Sequence, residues 1–138
     1  MNILARPVGL LRLEGVATLA LAAYLYSIAS ADWILFGLLL FVPDVGMLGY
    51  LRGSVVGAAT YNLFHTEIGP LALGAAAVYM QWPLGLVVAL VWLAHIGMDR
   101  ALGYGLKLRT AFGDTHLGRM GRASRPSPWS EATFDRDP

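Results

Sequence analysis

The sequence predicts an all-α protein: a four-helix transmembrane bundle with antiparallel neighbours and both termini in the cytoplasm. Of its 138 residues, 57% are hydrophobic and only 14% are charged, and the mean hydropathy is positive. That composition is typical of a multi-pass membrane protein and excludes an ordinary soluble domain. Long apolar stretches recur four times, and the basic residues lie on one side of them. These observations together predict the bundle and its orientation.

The four apolar stretches define the predicted spans. A crossing needs roughly 20 mainly apolar residues, and residues 8–28, 33–50, 55–79 and 84–103 meet this need. The connections are short, which makes sequential helices antiparallel neighbours. The first stretch is longer than the apolar core of a usual signal peptide, so we expect a retained span. We assign residues 1–105 to the four-span bundle, 106–121 to a cytoplasmic basic loop and 122–138 to a flexible C-terminal tail rich in Ser, Pro and charge.

The basic residues set the predicted orientation. Arg6 and Arg12 flank the start of the first span, Arg52 lies in the second connection, and the remaining Lys and Arg lie at or beyond the end of the fourth span. The first and third connections contain no Lys or Arg. By the positive-inside rule, both termini face the cytoplasm. We expect the basic tail to contact anionic membrane lipids and to dock on partner membrane proteins, whereas nothing indicates nucleic-acid binding.

Ionisable side chains interrupt the apolar stretches at similar depths. They are Glu14, Asp44, His65, His95 and Asp99. Such a residue in hydrocarbon is costly and usually faces the interior of a bundle, where it has a partner. At about 1.5 Å of rise per residue, all five fall about 7–15 Å from the cytoplasmic face of the bilayer core. The sequence therefore predicts one shared polar site in the cytoplasmic half of the membrane.

The residue types at this site predict a metal centre. His95 and Asp99 are four residues apart and therefore share one helix face. Imidazoles and carboxylates from separate helices suit a divalent ion such as zinc, iron or manganese. The chain has no cysteine, which excludes thiolate ligands and disulfides. Haem is disfavoured because three acids would lie close to it.

We predict a role for each of these side chains. The predicted metal ligands are Asp44, His65, His95 and Asp99. In catalysis, Asp99 would also serve as general base and Glu14 as proton donor. The residues expected to support the ligands are Asn62, Tyr61, Arg100 and His116, since a ligand histidine usually bonds a carboxylate or carbonyl through its other nitrogen. His116 has a competing interpretation as a solvated loop residue.

The same residues allow interpretations from other functional classes. A structural polar network could pair Glu14 or Asp99 with Arg100 or Arg12, and fix the packing of the helices. The protein would then be a non-enzymatic subunit of a larger membrane complex. A proton or ion pathway is a third interpretation. The first interpretation is a small integral-membrane enzyme, a metal-dependent hydrolase or oxidoreductase acting on a lipid-like or apolar substrate, and the sequence leaves open whether the protein is an enzyme.

Five sequence motifs carry a resemblance to a known family. They are LRLEG, PDVGMLGY, YNLFHT, WLAHIGMDRALGYGLK and DTHLG. The chain resembles, over about residues 10–121, a bacterial membrane-protein family catalogued as domain-of-unknown-function family 4260. The resemblance implies four helices and a multi-pass protein of the bacterial inner (cytoplasmic) membrane. It implies no activity, cofactor or site residue.

Overall fold

A computed structural model describes residues 7–119 of the protein, which are mainly helical and end in a short hairpin. The elements are α1 (Pro7–Ala29), α2 (Trp33–Leu40), a 3₁₀ helix (Val42–Arg52), α3 (Ser54–His65), α4 (Ile68–Tyr79), α5 (Pro83–Leu102), β1 (Asp114–Thr115) and β2 (Gly118–Arg119). The predicted flexible tail, 122–138, lies outside the described residues.

Three segments within residues 7–119 are long and apolar enough to cross a bilayer: Pro7–Ala29, Trp33–Arg52 and Pro83–Leu102. The second combines α2 with the 3₁₀ helix, and their different rises per residue add up to about 34 Å, enough for a hydrocarbon core of about 30 Å. Many large apolar side chains on these segments are exposed, among them Ile34 and Leu38. Lipid would cover such a surface, so the helices have membrane-spanning character.

The third predicted span, 55–79, is not one continuous helix, which corrects its prediction as an unbroken span. The chain leaves the helix at Thr66, which has an extended backbone, and resumes at Ile68 as α4. Pro70 explains the break, because its ring clashes with the carbonyl four residues earlier and it lacks an N–H to donate there. Each half is about 18 Å long and so too short to cross a bilayer core of about 30 Å alone.

Helix α5 is the central element of the fold. It packs against α1 along its length, and against α4 and α2. Close approach of α1 and α5 depends on glycine: a Cβ added at Gly97 would lie 2.6 Å from the backbone nitrogen of Leu19. Small residues at such crossings are how helices in lipid gain van der Waals contact. Because α5 is buried by its neighbours, the polar residues in its last turns face protein rather than lipid.

The 3₁₀ helix packs against α3. The Thr60 hydroxyl of α3 donates to the Gly46 carbonyl at 2.7 Å, and a Cβ at Gly46 would lie 3.0 Å from the Thr60 carbonyl oxygen. A run of eleven 3₁₀ residues is unusually long. This tight pairing carries Asp44 towards the end of α3.

The chain turns back at the end of α5. Gly103 adopts a left-handed conformation with φ of 90°, which glycine tolerates without the steric cost of a Cβ. Residues 106–108 then pair with the first strand of the hairpin, through Leu108 N–H to the Asp114 carbonyl at 2.8 Å and His116 N–H to the Leu106 carbonyl at 3.0 Å. We call residues 106–119 the C-terminal hairpin segment. It lies beside the ends of α3 and α5, where the polar residues collect.

Candidate metal centre

Two imidazoles and two carboxylates meet where the 3₁₀ helix, α3 and α5 converge. The Nε2 atoms of His65 and His95 are 3.0 Å apart. Asp44 Oδ1 lies 3.5 Å from the first and 3.6 Å from the second. Asp99 Oδ2 lies 3.5 Å and 3.8 Å from the same two atoms. We call these four side chains the His–Asp cluster.

The local fold explains why these side chains converge. His65 is the last residue of α3, and Asp44 lies in the first turn of the 3₁₀ helix. His95 and Asp99 are one turn apart on α5 and both are buried. Both imidazoles are 1% exposed, whereas the Asp44 side chain is 33% exposed. The cluster therefore has a closed side formed by the histidines and a more open side at Asp44.

The hydrogen bond at Nδ1 of His65 fixes the tautomer of its ring. His65 Nδ1 lies 2.8 Å from the Tyr61 carbonyl oxygen. A carbonyl only accepts hydrogen bonds, so we assign the hydrogen to Nδ1. In the neutral ring, Nε2 then carries a lone pair directed at His95 and the two carboxylates. This is the arrangement in which a histidine binds a metal ion and is oriented by a backbone carbonyl.

The break after α3 is stabilised by side chains from α5. The last turn of a helix leaves carbonyl groups without helical partners. Trp92 Nε1–H donates to the Phe64 carbonyl at 2.6 Å, and Arg100 Nη2–H donates to the His65 carbonyl at 3.1 Å. Backbone that is not helical at membrane depth requires such partners. These two bonds therefore hold His65 at the cluster.

Tyr61 supports both a histidine and a carboxylate. Its hydroxyl donates to Asp99 Oδ2 at 2.9 Å, and its ring stacks on His65 with centroids 3.6 Å apart and planes 12° apart. A hydrogen-bonded carboxylate is held in one orientation, so Tyr61 fixes Asp99 relative to the imidazoles. Tyr61 thus contacts two of the four cluster residues, and its supporting role stays a prediction.

The three atoms His65 Nε2, His95 Nε2 and Asp44 Oδ1 fit one small ion. They belong to a group of ligand atoms that all lie within 4.8 Å of one another. A triangle with sides of 3.0, 3.5 and 3.6 Å has a circumscribed radius of about 2.0 Å, which is close to Zn–N and Zn–O bond lengths. An ion near its centre would lie about 2.0 Å from all three atoms. Asp99 Oδ2 approaches both imidazoles similarly but also accepts the Tyr61 hydroxyl.

One feature of His95 departs from the usual pattern of a metal ligand. Its Nδ1 atom is buried and has no hydrogen-bond partner among residues 7–119. A ligand histidine almost always donates from its second nitrogen. The ligand residue types, the triangle of ligand atoms and the His65 tautomer fit a divalent ion. Within the described part of the chain, His95 Nδ1 lacks the hydrogen bond that such a ligand usually makes.

The C-terminal hairpin segment covers the cluster from the side of the α5 terminus. Asn62 forms two hydrogen bonds with the backbone of Lys107. Its Nδ2 donates to the Lys107 carbonyl at 2.9 Å, and its Oδ1 accepts from the Lys107 N–H at 2.7 Å. His116 Nδ1 accepts the Leu106 N–H at 2.8 Å. Asn62 and His116 therefore organise the hairpin segment, whereas Tyr61 and Arg100 contact the cluster.

Lys107 is the charged residue that the sequence interpretation missed. Its ammonium donates to the Phe112 carbonyl at 3.0 Å and lies over the Phe112 and Tyr61 rings, 4.2 Å and 5.1 Å from their centroids. Burial lowers the pKa of this ammonium, and the negative charge of Asp99 opposes the shift. No local motif marks Lys107, because its position depends on the turn at Gly103 and on Asn62.

A cavity of about 400 Å³ adjoins the open side of the cluster. Asp44, Asp99 and Lys107 contribute its charged wall, and Tyr61 and Tyr104 also line it. The apolar side chains come from the second and third candidate spans, namely Phe41, Met47, Met98 and Leu102. Ligand cavities are typically about 300–1,000 Å³, mainly apolar with a few placed polar groups. The cavity thus joins the cluster to an apolar entrance.

Glu14 is not brought to the cluster. It is exposed and lines a separate groove of about 450 Å³ together with Glu67 and Arg100. None of the four cluster residues is among the described residues that line this groove. The proton-donor role predicted for Glu14 stays a prediction without a contact in its support.

The comparisons with known proteins identify a family but no characterised relative. No curated protein and no solved structure matches the chain. The model of a family described as a domain of unknown function (DUF4260) matches residues 9–120. This match covers the membrane-type helices, all four cluster residues and the C-terminal hairpin segment. The chain belongs to the DUF4260 family.

Proposed function

We propose that the protein binds one divalent metal ion between Asp44, His65 and His95 and is a small integral-membrane enzyme acting on a lipid-like or apolar substrate. The observation that carries the proposal is the triangle of ligand atoms, whose radius of about 2.0 Å equals a metal–ligand bond length. With three protein ligands and an adjoining cavity, the proposed site resembles catalytic zinc sites, which keep one position open for water or substrate.

Electrostatics also favours a cation at this position. Two carboxylates lie within 3.8 Å of two imidazole nitrogens, of which the His65 Nε2 carries a lone pair. Ionised acids among apolar helices are costly unless a positive charge compensates them. A divalent ion would supply that charge at the point where the lone pair and the carboxylates converge.

In the hydrolytic version of the proposal, the residues have separate roles. A metal ion bound there would activate a water molecule and polarise the scissile group. Asp99, held by Tyr61, would take a proton from the water molecule. At the same time, the oxygen of that water molecule would bond to the acyl carbon or phosphorus atom. The bond to the leaving oxygen breaks, and that oxygen receives the proton from Asp99. The products are an acid and an alcohol, with atoms and charge balanced.

A second candidate is a non-enzymatic subunit of a membrane complex, in which the cluster is a structural network. The 3.0 Å contact between the two imidazole nitrogens favours it, since His95 Nε2–H could donate to the lone pair of His65. In this case no metal is bound, and removing one imidazole would destabilise the fold by leaving buried polar groups unpaired.

Metal content separates the two candidates. The protein is purified in detergent through a tag without histidine, exposed to zinc, iron or manganese, and analysed for metal per chain. We expect about one ion per chain in the parent protein, with loss in His95→Ala and Asp44→Asn. His116→Ala and Glu14→Gln are the matched controls, because they change one histidine and one carboxylate away from the cluster, and they should keep the metal. A metal-free parent whose His95→Ala variant melts at lower temperature would support the structural network instead.

Hydrolysis requires its own test. Asp99→Asn should retain the metal ion but lose the ability to cleave nitrophenyl esters and phosphates that carry a long alkyl chain. A metal-loaded parent protein that cleaves neither class would refute the hydrolytic version.

The location is also proposed. We propose that the protein is a multi-pass protein of the bacterial inner membrane with lipids at its apolar surface. In this proposal both termini lie in the cytoplasm, which requires α3 and α4 to make one crossing together, in addition to the three candidate spans. The distribution of Lys and Arg supports this orientation, and the exposed apolar side chains support contact with lipid.

A further inference from the structure

We infer that the cavity beside the cluster takes a single-chain amphiphile whose head group carries a negative charge, and that this molecule enters sideways from the bilayer. The inference rests on the proposed metal site and deepens it by naming the class of ligand. Three observations carry it: the size of the cavity, the direction in which it opens, and the charges on its wall.

The volume of the cavity is that of one alkyl chain. At about 30 Å³ per non-hydrogen atom, the share of a water molecule in the liquid, about 400 Å³ holds roughly a dozen such atoms. That space suits a medium-length alkyl chain with a small head group, and both chains of a phospholipid would not fit inside it together. The apolar side chains of the wall provide the surface that such a chain would cover, namely Phe41, Met47, Met98 and Leu102.

The exposed rim of the cavity indicates lateral entry. Phe41 and Leu102 are 60% and 59% exposed, and they belong to the second and third candidate spans. Side chains on the outer surface of such spans face lipid rather than water. Phe41 lies at the middle of its span, whereas Tyr104 and Lys107 follow the end of α5. The cavity therefore runs in the direction of a lipid chain, with its polar end near the membrane surface.

The charges on the wall select the head group. The charged side chains that line the cavity are Asp44, Asp99 and Lys107. With a divalent ion bound, the sum of these charges is +1, so an anionic head group would leave the site neutral. A neutral or cationic head group would leave a net charge in an apolar environment, which is costly. Lys107 contributes through its charge and its position beside Tyr61, which binds Asp99.

A binding experiment tests this inference on the metal-loaded protein in nanodiscs. The probe is radiolabelled dodecanoate, and saturable binding is measured above that of empty nanodiscs. Dodecanol and dodecyltrimethylammonium, which have the same chain with no charge or a positive charge, are the competitors. We expect saturable dodecanoate binding. Dodecanol and dodecyltrimethylammonium should each compete at least about tenfold more weakly than unlabelled dodecanoate. Equal competition by dodecanol, or stronger competition by the cation, would overturn the proposed charge selection.

Matched variants test the wall. Lys107→Gln should weaken dodecanoate binding about tenfold, since it removes one charge-assisted contact, and Lys107→Arg should restore most of it. Arg109→Gln removes the same charge from an exposed residue two positions away and should leave binding unchanged. Met98→Trp adds bulk to the apolar wall and should weaken binding without loss of metal. Unchanged binding in both Lys107→Gln and Met98→Trp would refute the assignment of the cavity.

Metal content, measured on the same samples, separates this inference from the proposed function. A parent protein without metal refutes the metal site. A parent with about one ion per chain that does not bind dodecanoate leaves the metal site standing and refutes the ligand class.

Discussion

Replacement of Asn62 by leucine tests how the C-terminal hairpin segment is held over the cluster. Asn62 makes two hydrogen bonds to the backbone of Lys107, at 2.9 Å and 2.7 Å. Leucine has a similar size but can form neither bond. The change therefore removes these two hydrogen bonds between the hairpin segment and α3 and leaves the contacts of the His–Asp cluster in place.

The expected magnitude follows from the two lost bonds. A hydrogen bond inside a protein contributes about 0.5–1.5 kcal/mol, so the hairpin segment should become less stable by about 1–3 kcal/mol. Because 1.4 kcal/mol corresponds to a factor of ten, local opening should become about 5- to 150-fold more frequent. Asn62→Asp keeps the acceptor for the Lys107 N–H but loses the donor, so we expect an intermediate effect.

Hydrogen exchange measures this opening directly. The amides of Leu108 and His116, which bond across the hairpin segment, should lose protection, whereas amides in the middle of α5 should keep theirs. Unchanged protection at Leu108 and His116 would refute the attachment role of Asn62. An equal loss of protection throughout α5 would also refute it, because Asn62 would then support the whole fold.

Three further predictions concern the helices. Gly97→Ala should lower the free energy of unfolding by about 1–3 kcal/mol, because the new Cβ would lie 2.6 Å from the α1 backbone; Gly37→Ala, with no neighbour within 4 Å among residues 7–119, should not. Trp92→Phe should lower the melting temperature, since the carbonyl it serves at the end of α3 is left without a donor at a cost of about 1–3 kcal/mol, whereas the exposed Trp33→Phe should have little effect. A reporter fused after Gln81 should lie outside the cytoplasm, and a cytoplasmic reporter there would contradict the proposed orientation.

Side-chain spacing on one helix was readable from the sequence. His95 and Asp99 share a face because they are four residues apart, and the structure brings both to the cluster. The approach of Asp44 and His65 followed from their similar depths in separate apolar stretches. Depth alone does not fix the direction of a side chain, however. Glu14 precedes Gly15, which packs on α5, and one residue of helical rotation turns Glu14 into the groove beside Arg100.

Other features depend on tertiary contacts that the sequence does not display. Pro70 indicates a helix break, but the continuous hydropathy of residues 55–79 predicts a single span. The break persists because Trp92 and Arg100 supply donors from a distant helix. Lys107 reaches Tyr61 only because the chain turns at Gly103 and is then held by Asn62. Such contacts join residues about 30 to 45 positions apart, beyond the range of helical periodicity.

The measurement that tests the metal site most directly is X-ray absorption at the metal edge of the zinc-loaded protein. Because the chain has no cysteine, thiolate sulfur cannot contribute to the spectrum. The account predicts nitrogen and oxygen ligands at about 2.0–2.1 Å, with the outer-shell scattering of two imidazole rings in the parent and of one ring in His95→Ala protein reloaded with zinc. The His116→Ala spectrum should equal that of the parent. A spectrum of oxygen ligands without imidazole scattering, or one unchanged by His95→Ala, would contradict a metal centre at Asp44, His65 and His95.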